Sequence, residues 1–163
     1  MGIENGYSQN DFEKPVLSAF NVSPSNVDIT SGSTTLTITV NASDTSGVMT
    51  PTGGPYTYFN GTQYNGSRWT LTSGNIYNGT YTSYLVLDPT EIGPGSLTIQ
   101  VAPWYFKDTN NYQSDGVNNI SVNVTNNNSY DFDKPVLSSF NASPSNVDIT
   151  SGATTLTITV NAS

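Results

Sequence analysis

Apolar and polar residues alternate along much of this 163-residue chain with the period of two that a pleated strand imposes. The clearest run is Thr34–Val40, TTLTITV, in which Leu36, Ile38 and Val40 share one face and Thr35, Thr37 and Thr39 the other. Threonine suits the wet face, because its branched Cβ fits the pleat while its hydroxyl stays hydrated. Val16–Val22 reads as an earlier strand that Pro24 interrupts, and Val27–Thr30 resumes the pairing before Ser31-Gly32 turns the chain. Further strands are expected at Val48–Met49, Tyr56–Phe59, Trp69–Leu71, Thr80–Leu87, Leu97–Val101 and Ile120–Val124. Within Thr80–Leu87 the spacing puts Tyr81, Ser83, Leu85 and Leu87 on one face. Asn60-Gly61, Asn65-Gly66 and Asn78-Gly79 are hairpin signals, since both residues tolerate positive φ. Thr52–Pro55 and Pro89–Gly95 supply Gly/Pro corners, and Pro103 bends or releases the strand before it. No stretch carries a helical period. About seven strands between turn signals predict an all-β chain built as a β-sandwich of the immunoglobulin style.

The alternation is also repeated wholesale. Residues 11–43, DFEKPVLSAFNVSPSNVDITSGSTTLTITVNAS, return at 131–163 with a constant offset of 120 and no gap. Four positions differ: Glu13/Asp133, Ala19/Ser139, Val22/Ala142 and Ser33/Ala153. A period of this length fits a whole domain and not a solenoid unit, so a tandem array is expected. Residues 11–127 would form one complete sandwich, 128–130 a linker, and 131–163 the first strands of the next. Met1-Gly2-Ile3 matches Val122-Asn123-Val124 with a one-residue shift, which reads 1–10 as a linker or the end of a preceding repeat. The first two strands of a sandwich cannot close a core alone. Residues 131–163 are therefore expected to continue into a further domain or to complete a sandwich in a neighbouring chain.

Composition narrows the function. A net charge of −8, with four basic residues in all, disfavours nucleic acid, whose phosphates require Lys or Arg. The chain has no Cys, hence no disulfide framework, and it can instead stabilise itself through a core. No apolar run is long enough for a transmembrane helix. With no His or Cys, no phosphate loop and no nucleophile elbow, enzyme chemistry is poorly provided for. An internal Lys–Asn bond would need a buried Lys beside an acid, and Lys14 and Lys134 fall at the linker positions.

The segments KPVLSxFNxSPSNVDITSG, TTLTITVNASDTSGV and NGTYTSYLVLDPTEIGPGSLTIQV, spread over residues 11–125, together resemble immunoglobulin-like repeats found in tandem on prokaryotic surface adhesins and other large extracellular proteins. The resemblance implies an extracellular or cell-surface setting. Fibronectin type III modules are a neighbouring possibility. Leu87-x-Pro89 is similar to the start of their tyrosine corner, but Gly93 stands where the Tyr belongs. The antibody Cys–Trp–Cys pattern is absent.

Three sets of residues are candidates for chemistry. Asn-x-Ser/Thr triplets occur at Asn21, Asn41, Asn60, Asn65, Asn78, Asn119, Asn123, Asn127, Asn141 and Asn161, about twice what chance gives, and would accept N-linked glycans if exposed. Carboxylates gather near the expected domain ends, so that Asp44 or Asp108 of one domain could share Ca²⁺ with Asp131 and Asp133 of the next. The alternative is solvated loop acids beside Lys14, Lys107 and Lys134. Aromatics at Tyr56, Tyr58, Phe59, Tyr64, Trp69 and Tyr77, and at Trp104, Tyr105, Phe106 and Tyr112, would either pack strands or stack against sugar. The expected role is a structural repeat of a stalk, adhesin shaft or filament, its partners neighbouring repeats or identical subunits. The competing expectation is a carbohydrate- or surface-binding adhesin module that uses exposed aromatics on surface glycans.

Overall fold

The computed structural model describes residues 12–132, 136–150 and 152–162. The expectations for residues 1–10, and for Asp133, lie outside these.

Strand β1 (Val16–Ser23) pairs antiparallel with the long strand that follows, and after Pro24 the chain crosses to the other sheet as β2 (Asn26–Asp28). β3 (Thr34–Ser43) carries the alternating threonine run. The rest of the first unit comprises β4 (Tyr56–Phe59), β5 (Thr62–Asn65), β6 (Thr70–Gly74), β7 (Asn78–Leu87), β8 (Gly95–Gln100) and β9 (Ile120–Thr125). One sheet has the order β1-β3-β7-β6 and the other β2-β9-β8-β4-β5. Every pairing is antiparallel except β2 with β9, where Val27 lies opposite Val124. The first unit is therefore an all-β arrangement of two sheets, consistent with a β-sandwich.

The period of two sets the core. Leu36, Ile38 and Val40 of β3 are fully buried, as are Leu97 and Ile99 of β8 and Val122 of β9. Each such side chain contributes roughly 1.5–3 kcal/mol by leaving water. Tyr81, Ser83, Leu85 and Leu87 are all buried, as the spacing in β7 requires. Trp69, Tyr81 and Phe106 add an aromatic centre, with Phe106 meeting Trp69 at 5.5 Å and Tyr81 at 5.3 Å, both edge-on.

Several local expectations are corrected. Val48 makes an isolated bridge with Asp108 and no strand forms at Val48–Met49. β5 was not foreseen, yet Asn60 (φ 47) and Gly61 (φ 73) form the two-residue turn that joins it to β4. Asn65-Gly66 is no hairpin turn: Gly66 N–H donates to the carbonyl of Pro55 instead. Asn78 and Gly79 lie inside β7, paired with Ser43 and Ala42. The β6–β7 turn is made upstream by Gly74 (φ 76) and Asn75, whose Oδ1 accepts the N–H groups of Tyr77 and Asn78. Pro103–Tyr105 is a single 3₁₀ turn.

The chain divides at Tyr130/Asp131. In the second unit β10 (Leu137–Ser143) and β11 (Thr157–Ala162) form a two-stranded antiparallel hairpin. Outside the bulge its partners are those of β1 and β3 displaced by 120: Asn141↔Thr159 repeats Asn21↔Thr39, and Ala142↔Ile158 repeats Val22↔Ile38, whereas Ser139 and not Ser138 lies opposite Asn161.

Candidate functional site

At the leading end of the first unit, where β1 begins and β3 ends, two aspartates organise the loops. Asp44 Oδ1 accepts from Ser46 N (2.8 Å), Ser46 Oγ (2.8 Å) and Gly47 N (3.1 Å). Asp108, with no exposed surface, accepts from Asn110 N (2.9 Å) and Tyr112 N (2.7 Å), again through Oδ1. Its Oδ2 is buried and has no hydrogen-bond partner. The two loops are stitched together by Met49 N–H to the carbonyl of Lys107 and Thr109 Oγ1 to that of Ser46. Phe12 meets Tyr112 edge-on, and Lys14 pairs with Asp115 on an exposed surface, where such a pair is worth little.

The trailing end is tied differently. Asn126 Nδ2 donates to the carbonyls of Pro89 and Ile92, and Asn128 Nδ2 to that of Thr30. Asp88 and Asp28 sit there, each folded onto a threonine two residues on. The hydroxyl and then the N–H of Thr90 hold the Asp88 carboxyl below its ordinary value, and Thr30 does the same for Asp28.

The expected cation site drew on Asp44, Asp108, Asp131 and Asp133, the last of which lies outside the described residues. Thr30 and Asp44 flank opposite ends of β3, whose ten residues span about 33 Å. Among the described residues no group of three or more ligating side chains comes together. Asp44 and Asp108 serve as acceptors for their own loop amides, a use of Asp that its short side chain favours.

The aromatics separate into two groups. Phe59, Trp69, Tyr81 and Phe106 enter the core. Tyr56, Trp104 and Tyr105 form an outward cluster with centroids 5.8–6.1 Å apart, and Trp104 is 48% exposed. Tyr56 and Tyr105 share a hydroxyl–hydroxyl hydrogen bond of 3.0 Å, which holds the Tyr105 phenol above its ordinary value.

Of the ten sequon asparagines, nine are exposed and Asn41 is half-buried. Asn41 Oδ1 accepts from Thr80 Oγ1 at 2.9 Å, and Asn123 Nδ2 donates to Asn26 Oδ1 at 2.9 Å. The side-chain amides of both are thus engaged.

The hairpin of the second unit is more exposed than its twin, in which Leu17 and Phe20 are half-buried. Leu137, Phe140 and Ile158 are 70%, 72% and 58% exposed, whereas Ile38, the counterpart of Ile158, is fully buried. Phe140↔Val160 and Ala142↔Ile158 are directly opposed, which places these four on one face. Within its strands the hairpin differs from its twin at two positions, Ser139 and Ala142.

Among the described residues no helix is long and apolar enough to cross a membrane. Comparison with known protein families, curated proteins and solved structures found no match.

Proposed function

We propose that the chain is a structural repeat of an extracellular stalk, adhesin shaft or filament, made of immunoglobulin-like sandwiches in a semi-rigid row. The observation that carries this reading is the return of the β1–β3 pairing in the β10–β11 hairpin 120 residues later, with the same partners on either side of a bulge. A strand pair that recurs at a domain-length offset supports a second copy of the same fold opening at residue 131. The sheet orders support the immunoglobulin likeness, because a four-stranded sheet faces a five-stranded one and the first strand divides between them. The first unit also has its leading and trailing loops at opposite ends of β3, the layout a bead needs in a string. Its carboxylates at Asp44, Asp88 and Asp108 are occupied in loop and turn bonds, in keeping with reach and resistance to unfolding as the task.

Electron micrographs of the native assembly test this. Beads at a regular spacing of about 35–45 Å, the length of a ten-residue strand plus its loops, support the row. Isolated particles with no repeat contradict it.

A second reading follows from Trp104, half-exposed beside Tyr56 and Tyr105: a ring platform for a sugar on a surface glycan. Trp69 is 1% exposed, so a change of tryptophan fluorescence on adding soluble glycans would report on Trp104. An unchanged spectrum in the native chain sinks this reading.

A further inference from the structure

Three of the Asn-x-Ser/Thr triplets, Asn60-Gly61-Thr62, Asn65-Gly66-Ser67 and Asn78-Gly79-Thr80, place glycine directly after the asparagine. Asparagine is thermolabile, and most so before glycine, because a residue without a side chain lets its backbone nitrogen approach the Asn amide carbon. As sequence the three are matched; the fold separates them. Gly66 N–H donates to the carbonyl of Pro55 at 3.2 Å, and Asn65 Oδ1 accepts from Gln63 Nε2 at 2.9 Å. Gly79 is buried within β7, opposite Ala42 and closed in by Leu71 and the carbonyl of Asn75. Asn60 and Gly61 are both exposed, and among the described residues neither the Asn60 amide nor Gly61 N–H makes a hydrogen bond. They form the tip of the β4–β5 hairpin, and β5 is the outer strand of its sheet. Edge tips of this kind belong to the least stable parts of a fold.

We infer that Asn60 is a self-modifying site, converted to aspartate and isoaspartate without enzyme or cofactor, ahead of Asn65 and Asn78. Gly61 N gives up its proton and bonds to Asn60 Cγ, closing a succinimide ring. The Cγ–Nδ2 bond breaks, and the nitrogen takes up an equivalent proton and leaves as ammonia. Water then opens the ring. Attack at Cγ gives aspartate; attack at the main-chain carbonyl gives isoaspartate, whose backbone runs through the side chain. Neither step is a redox step, so water is the one co-reactant. Either product puts a carboxylate at the hairpin tip and removes the acceptor amide of the triplet, so conversion and N-glycosylation of Asn60 exclude each other. At Asn65 the ring can close only after the Gly66–Pro55 hydrogen bond breaks, and one such bond slows it by about 2–12-fold. At Asn78 a stretch of β7 must first leave its sheet, which is slower still.

The test uses the whole chain, made in a host without N-glycosylation and held folded in mildly alkaline buffer, beside a sample unfolded in guanidinium chloride. Peptide mass mapping over time follows the conversion of amide to acid at each site, and chromatography separates the isoaspartyl from the aspartyl peptide. In the folded chain Asn60 should be lost first, Asn65 about 2–12-fold more slowly and Asn78 slowest. In the unfolded sample the three matched triplets should react alike. N60Q should remove the product of that peptide and leave the slower two unchanged. An Asn60 that persists in the folded chain while the unfolded sample converts would overturn the inference. So would an Asn65 or Asn78 lost as fast as Asn60 in the folded chain, or a lead of Asn60 that survives unfolding.

Discussion

The backbone N–H of Tyr112 donates at 2.7 Å to Oδ1 of Asp108, a carboxylate with no exposed surface. Asn110 N–H adds a second bond to the same oxygen, so this side chain holds together the loop that crosses the leading end of the sandwich. Asp108→Ala would leave two amides without their acceptor and should cost about 2–4 kcal/mol of unfolding free energy. Asp108→Asn retains Oδ1 and should cost about half as much. Urea titration with an unchanged slope checks both.

Because Oδ1 of Asp44 and of Asp108 is taken by loop donors, chelation should leave the melting temperature of the chain unchanged. A fall on adding EDTA, reversed by Ca²⁺, would restore a cation to the leading end.

Asp88 gives a pH prediction. Thr90 hydroxyl and N–H, at 2.7 and 2.8 Å, stabilise the ionised form and depress the folded-state value. A depressed folded value favours the native state above the ordinary carboxylate range, and that contribution disappears as pH falls through the folded value. Carboxyl NMR titration should place Asp88 below ordinary aspartates, and Thr90→Val should move it back up.

Gly79 illustrates what the sequence conceals. Asn78-Gly79 has the composition of a hairpin turn, yet Gly79 lies within β7, and a Cβ there would run into Leu71 Cδ1 and the carbonyl oxygen of Asn75. Its smallness serves close approach of β6, not positive φ. Gly79→Ala should therefore destabilise by about 1–3 kcal/mol, seen as a lower denaturant midpoint.

The sequons yield a ranking. In a host with N-glycosylation machinery, Asn60, Asn65 and Asn127, all exposed, should be occupied ahead of Asn41 and Asn123, whose amides are engaged by Thr80 and Asn26. Glycopeptide mass spectrometry checks the order; full occupancy at Asn41 would contradict it.

Much of the fold was readable because β3, β8 and β9 alternate, and alternation reports directly which side chains meet the core; β7 departs from it at Thr82, which is also buried. Tyr81, Ser83, Leu85 and Leu87 are all buried, as that spacing predicts. β5 was not readable: its residues Thr62–Asn65 lack an apolar alternation, since it is an edge strand exposed over most of its length. The candidate site was less legible. Asp44, Asp108 and Asp88 are alike as sequence, and it took the strand directions to put the first two at one end of the unit and Asp88 at the other. Similarly, nothing in the composition of Trp69 and Trp104 separates the buried ring from the exposed one.

Stretching the native assembly with a force probe tests the row of identical sandwiches most directly. Each bead of a 120-residue period should unfold as one event and release about 400 Å of chain, with near-equal forces from bead to bead. Release lengths that scatter, or a single event, would contradict a tandem of equivalent domains.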